Sequence, residues 1–450
     1  MAQQDRTTDG GRVVAVDVLR GLVLLLLVPD TLGGFSFYRM AELHPDHPVW
    51  TALARQFSHV EWSGAAIWDL VMPLFVFLVG VSMAMSYRRR KSGGATDGEM
   101  LRLAALRSAT LIVLGLLVQM TFTSHLDEAL LFLVLATGLP LATIVGRSAG
   151  RPLPPAPASP SAALSAAWVL IVLGCSVAWM AHDPGKLGRY ELHQILILIG
   201  LAYLPAFFLM RHDDWIKAIA AIALIAAYGL AFALYAPHAD AAPVAGPWPS
   251  LVASHWRSGD NVAAAFDRWL LNLLPRAEPY AGNPHDYHTL QFVPLISVML
   301  AGAIAGRSII EGRGDRALPL RLGLAGVAGL AASWVLTVSG FPLVKSLWTP
   351  SWTVFSASVS LILLAMALRL FDSGRRAAWA KPLVVLGANS ILLYVLAMTE
   401  RWRVVSLWQR IVPPDVMAVS WRPVLESLLV LAVFWMLAAV LDRLRVYVRI

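Results

Sequence analysis

The chain has 450 residues, of which 58% are apolar and only 14% charged, with a formal net charge of +8. A globular protein carries about 25% charged residues, and a soluble fold of this size could not bury so much apolar surface, so the composition excludes a water-soluble protein and calls for membrane helices. The excess of Lys and Arg then reports topology first, and without an RNA- or DNA-binding motif no nucleic-acid partner is expected.

A spanning helix needs about 20 mostly apolar residues. In chain order such stretches fall at 13–34, 66–86, 103–121, 128–146, 164–181, 192–210, 217–236, 290–309, 320–340, 351–371, 382–399 and 424–442. The predicted fold is therefore all-α: a polytopic transmembrane helix bundle of about 12 helices (10–12), one domain over 1–450. The polar start MAQQDRTTDGGR leads into an apolar run without a small-residue cleavage pattern, so the first helix is expected to stay attached. The segment RPLPPAPASPSAA (151–163) reads as a flexible linker. The stretch 237–289 is a large extracytoplasmic loop, long enough to fold over a site. The single cysteine, Cys175, excludes an intrachain disulfide. No internal repeat of the kind found in many transporters is evident.

Placing both termini in the cytoplasm gathers Arg88, Arg89, Arg90, Lys91 and Arg102 in one internal loop, with Arg313, Arg316, Arg375, Arg376 and the tail arginines also inside. Arg401, Arg403, Arg410 and Arg422 go against that rule. Of the 11 histidines only His212 falls in an internal loop, while His44, His47, His59, His125, His182, His238, His255, His285 and His288 fall outside and His193 begins a helix from that side. Histidine can carry protons or acyl groups near neutral pH, which draws attention to the outer face.

Asp17 and Arg20, in VDVLRGL, share one helix face. A charge inside an apolar span marks either a structural pair or a functional site. The same helix ends in VPDTLGG, where Pro29 can break the backbone and leave Asp30 and Thr31 polar at the outer face. Next comes FSHVEWSGAAIWDLVMPLFVFLVGVSM (57–83): His59 at a membrane boundary, Trp62, then the acid Asp69 inside the helix. Such a histidine can act as general base or be acylated itself, and Asp69 could orient it. The pairs His44/His47 and His285/His288 lack zinc spacing, so no metal is expected.

The ordered set VDVLRGL and HVEWSGAAIWDLVMPLFVFLVG resembles the core of the heparan-α-glucosaminide N-acetyltransferase family, polytopic membrane acyltransferases with many bacterial relatives. KSLWTPSW (345–352), LGANSILLYV (386–395) and Asn261 with Asp267 and Arg268 agree with it. The resemblance implies transfer of an acetyl group from cytoplasmic acetyl-CoA to an extracytoplasmic amino sugar or glycan, with the lipid bilayer as partner and a bacterial inner membrane as location; a homodimer is open. On this basis His59, Asp69, Asp30 and Thr31 are the expected catalytic residues, and Arg20, Asp17, Trp348, Ser351 and Asn389 are expected around the donor. Trp62, Asn261, Asp267, His288 and Lys345 are expected around the acceptor. Three features depart from the family: Thr31 stands where an asparagine is common, NPHDYHTLQ replaces a Glu-Gly pair, and Gln194 is followed by Ile195. Thr31 could still donate to a developing oxyanion. The rival is a secondary transporter of a sugar or anionic solute, which intramembrane charges and a dozen helices fit on general grounds, while the absence of a repeat counts against it.

Overall fold

The computed structural model describes residues 13–29, 35–123, 191–236, 254–273, 276, 278–312, 314–372, 378–412, 421–444 and 446–447. The helices expected at 128–146 and 164–181, the linker 151–163, and Asp30 and Thr31 lie outside the described residues.

Among the described residues the regular elements are all helical. The helices are α1 (Val14–Leu27), α2 (Phe37–Leu43), α3 (Pro48–Gln56), α4 (Val71–Ser92), α5 (Asp97–Thr123), α6 (Ile195–Phe208), α7 (Asp214–Leu234), α8 (Val262–Leu271), α9 (Phe292–Glu311), α10 (Leu318–Val338), α11 (Pro350–Ala367), α12 (Lys381–Ala388), α13 (Ser390–Ile411) and α14 (Arg422–Arg443). Six helical stretches there are long and apolar enough to cross a membrane: Trp68–Ser92, Asp214–Leu234, Thr289–Glu311, Leu318–Val338, Pro350–Phe371 and Arg422–Arg443; the bent pair α12–α13 makes a seventh if taken as one span. The protein is an integral, multi-pass membrane protein.

The spans differ in what they face. The apolar window of α9 is 67% buried and that of α10 only 17%, which puts α9 at the centre and α10 at the lipid boundary. Leu320, Leu324, Val327 and Trp334 of α10 and Ile219, Ile222 and Leu230 of α7 are accordingly exposed, as lipid-facing side chains must be where no water drives them inward.

At the centre, α4 lies directly on α9. A Cβ on Gly80 would stand 2.0 Å from the Met299 carbonyl oxygen, and one on Gly302 would stand 2.1 Å from that of Phe77. Backbone meets backbone here, the close approach that small residues permit between membrane helices. The contact of α1 with α12 is built the same way, a Cβ on Gly387 falling 2.0 Å from the Asp17 oxygen.

Beside that second contact the fold differs from the sequence expectation. The apolar run 382–399 reads as one helix, yet α12 stops at Ala388 and α13 leaves Asn389 at 79°. Eight residues cover only about 12 Å of rise, so α12 alone does not span. Helix α13 instead continues to Ile411 through Arg401, Arg403 and Arg410. All four arginines that oppose the topology rule are thus helical rather than looped, Arg422 opening α14, and Arg401 is buried.

Between α1 and α4, α2 and α3 pack together, with Phe37 edge-on to Phe57 at 5.1 Å. A second, aromatic core of Tyr228, Phe232, Trp256, Ala263, Val344 and Leu347 sits apart from the main one, with Trp62 and Phe341 against it. It joins the end of α7 to the loop between α10 and α11, and that loop carries Lys345.

Candidate active site

Asp69 lies in a short 3-10 turn (Trp68–Leu70) that runs straight into α4. Its carboxylate is wholly buried while the His59 side chain is 50% exposed. His59 Nδ1 is 2.7 Å from Asp69 Oδ1, and the Ala66 backbone N–H donates to Oδ2 at 3.1 Å. Lys345 Nζ stands 3.2 Å from the same Oδ1, its side chain only 8% exposed. The imidazole, the carboxylate and the ammonium thus share one point in space, although 286 residues separate His59 from Lys345.

What holds them together is backbone pairing. Ser63 and Val344 form an isolated antiparallel bridge, and Gly64 N–H donates to the Leu343 carbonyl at 2.9 Å. Gly64 adopts φ +133° there, a conformation glycine enters without a Cβ clash. The Lys345 loop is pinned from below by Tyr228, whose hydroxyl donates to the Leu347 carbonyl at 2.8 Å, and by Gln291, which donates to the Ser346 carbonyl. The Ser351 hydroxyl donates to the Pro342 carbonyl at 2.8 Å, and Thr349 caps α11 by accepting from Trp352 N–H. A side chain held this way is preorganised, since its geometry is fixed before anything binds.

A polar shell surrounds the pair. Tyr287 Oη lies 3.4 Å from Lys345 Nζ, and the Tyr287 ring stacks on His193 with centroids 5.9 Å apart. His193 Nδ1 is 3.0 Å from Glu191, which accepts from Asn283 at 2.6 Å. Burial pushes the Glu191 carboxyl up, but hydrogen bonds from His193 and Asn283 outweigh it and hold the group below the ordinary carboxylate range. Burial and the neighbouring Glu191 push the Tyr280 hydroxyl up.

The remaining expected residues are placed as follows. Trp62 packs on the aromatic core beneath Lys345. Asn261 is buried and caps α8, its side chain accepting from Ala264 N–H at 2.9 Å. His288 is buried between two carboxylates, with Nδ1 3.3 Å from Asp267 and Nε2 2.7 Å from Asp286. Burial disfavours its charged form, yet the two carboxylates prevail and raise its pKa. Asn261, Asp267 and His288 bind the segment around α8 to itself; the link to His59 runs through Tyr287 and Lys345. Asp17 and Arg20 do not join the group: Arg20 donates to Ser82 and, at 3.5 Å, to Asp17, and Ser82 lies about 20 Å down α4 from Asp69 at 1.5 Å per residue. Trp348 and Ser351 are buried in the wall of the Lys345 loop. Asn389, at the α12–α13 break, donates to the Val446 carbonyl at 3.0 Å. Gln194 caps α6, accepting from Leu196 N–H at 2.7 Å.

Sequence reasoning missed the shell of Glu191, Asn283 and Tyr287; two of these stand in or beside the NPHDYH segment, whose density of polar groups was the available signal. A narrow cleft lies at the far end of α4, about 30 Å along the helix from Asp69 at 1.5 Å per residue. Ser86, Arg90, Arg107 and Tyr203 are among its lining residues, and Arg107 donates to the Tyr203 hydroxyl at 3.1 Å.

No family model matches the chain. It is similar to the heparan-alpha-glucosaminide N-acetyltransferase of Mus musculus, 29% identical over 115 residues, which is 26% of this chain and 15% of that protein. To the Homo sapiens protein of the same name it is 30% identical over 107 residues, 24% of this chain and 14% of that one. The chain therefore matches only a small part of either relative's length.

Proposed function

We propose that this protein is a membrane acyltransferase that moves an acetyl group from acetyl-CoA, bound from the cytoplasmic side, to an extracytoplasmic amino sugar or glycan. The observation that carries this reading is the half-exposed His59 held through Nδ1 by the buried Asp69. A carboxylate on one ring nitrogen fixes the tautomer and leaves Nε2 as the basic atom. The similarity to two proteins named as N-acetyltransferases supports the same reaction type.

Two routes are open to Nε2. It takes the proton from the acceptor amine or hydroxyl as that group attacks the thioester carbonyl, then returns it to the leaving thiolate. Alternatively it attacks the thioester itself, releasing thiolate and forming an acyl-imidazole that the acceptor then discharges. The second route gives ping-pong kinetics and a burst of thiol, the first does not.

The test is thiol release from acetyl-CoA by the purified protein with glucosamine as acceptor. Release that His59→Ala abolishes supports the reading. Unchanged release in His59→Ala overturns the assignment of the site, and solute counterflow without any thiol release identifies a transporter instead.

A further inference from the structure

Lys345 stands in an unusual relation to the His59 ring. Its Nζ is 2.8 Å from Nδ1 and 3.4 Å from Nε2. A donor in line with the Nδ1 lone pair at that distance would lie about 5 Å from Nε2, because the two nitrogens occupy opposite sides of the ring. Being close to both, Nζ lies over the ring face, off the in-plane axis of either nitrogen. The in-plane direction at Nδ1 belongs to Asp69 at 2.7 Å, so Nδ1 carries the hydrogen and donates to the carboxylate. The ammonium is ion-paired with Asp69 Oδ1 at 3.2 Å and donates to Tyr287 Oη at 3.4 Å. The same ammonium lies 3.4 Å from Nε2, at whose edge the proposed chemistry takes place.

From this geometry we infer that Lys345 is the oxyanion-stabilising residue of the site, donating to the thioester oxygen as it becomes negative. The inference rests on the acyl-transfer reading above. When the acceptor nitrogen or oxygen bonds to the carbonyl carbon, its proton passes to Nε2 and the carbonyl π pair moves onto oxygen. That oxygen lies at the Nε2 edge, within reach of an ammonium 3.4 Å from Nε2. The tetrahedral adduct then collapses, the carbon–sulfur bond breaks, and the thiolate recovers the proton from the imidazolium. In the acyl-imidazole route the same oxyanion forms one step earlier, with the nucleophile changed and the ammonium in the same place. A buried, preorganised donor of this kind contributes most in the transition state, so its removal lowers kcat more than it raises KM.

The experiment compares the full-length wild type with His59→Ala, Lys345→Met, Lys345→Arg and Lys345→Ala, each in lipid nanodiscs, for acetyl transfer to glucosamine. Lys345→Met is expected to lower kcat by about 100- to 1,000-fold with the KM for acetyl-CoA changed less than about threefold. Methylammonium or ethylammonium added to Lys345→Ala is expected to restore a saturable part of kcat, and Lys345→Arg to retain more activity than Lys345→Met. If His59→Ala is inactive while Lys345→Met keeps kcat within threefold of wild type, the inference is overturned and the acyl-transfer reading stands. The same holds if Lys345→Ala is folded by gel filtration, inactive, and unmoved by either amine, which assigns the lysine a merely structural role. Full activity of His59→Ala overturns both.

Discussion

Replacing Asp69 by asparagine keeps the shape of a wholly buried side chain and removes its charge. At 3.2 Å and an effective dielectric constant of about 20, the attraction between Asp69 and Lys345 is about 5 kcal/mol. That gain is set against the desolvation of both ions, so the intact pair contributes little net stability. Removing one partner is different, because Lys345 stays only 8% exposed with its charge uncompensated, and one-sided removal of such a pair typically costs about 3–5 kcal/mol. Lys345 keeps the Tyr287 hydroxyl, and the other partner, His59, is half exposed, so a loss of about 3 kcal/mol is expected, at the lower end of that range. The second half of the cycle is the sharper test. Lys345→Met added to Asp69→Asn removes the stranded charge, and the double variant is expected to recover about 2 kcal/mol of that loss. Apparent unfolding midpoints of the three variants and the wild type in one detergent measure this. The reasoning is refuted if Asp69→Asn is as stable as wild type, or if the double variant is no more stable than Asp69→Asn.

At the α4–α9 contact, Gly302→Ala puts a Cβ 2.1 Å from a backbone oxygen and should lower the yield of monodisperse protein, with a stability loss of about 1–3 kcal/mol. Gly323→Ala, whose nearest neighbour is the Ala365 Cβ at 3.8 Å, is the tolerated control; gel filtration and thermal midpoints compare them. The pKa of His288 is raised from its usual 6.5 in the fold, so its contribution to stability is full below that value and is lost as pH rises through the raised pKa. The thermal midpoint should therefore fall between neutral and alkaline pH, and His288→Asn should flatten that slope. Glu191 gives the opposite sign: its lowered pKa makes its contribution present above about 4.5 and lost as pH falls through the folded value, a decline that Glu191→Gln should remove. Gln194→Ala deletes the cap of α6 and is expected to cost about 1 kcal/mol, read from the same midpoint.

Composition and local pattern alone determined that this is a helical membrane protein, because 58% apolar residues call for lipid and apolar runs of about 20 residues suit helices, which satisfy their own backbone there. The pairing of His59 with Asp69 was accessible for a related reason: ten residues separate them, and one loop and one turn bring them together. The break at Asn389 was not accessible, since the sequence there is apolar on both sides and the helix turns where α12 meets the α1 backbone through Gly387. Asp17 and Arg20 drew notice as charges in an apolar span, and in the fold they engage each other and Ser82. Lys345 could be named from its motif, but its position over the imidazole face depends on contacts between segments hundreds of residues apart: the Ser63–Val344 bridge, the Gly64–Leu343 hydrogen bond and the Tyr228 hydroxyl on Leu347. Local sequence sets which side chains are present and which helices they ride on. The placement of an ammonium within 3 Å of an imidazole nitrogen is set by long-range backbone pairing, which has no periodicity along the chain and is decided only when the helices pack.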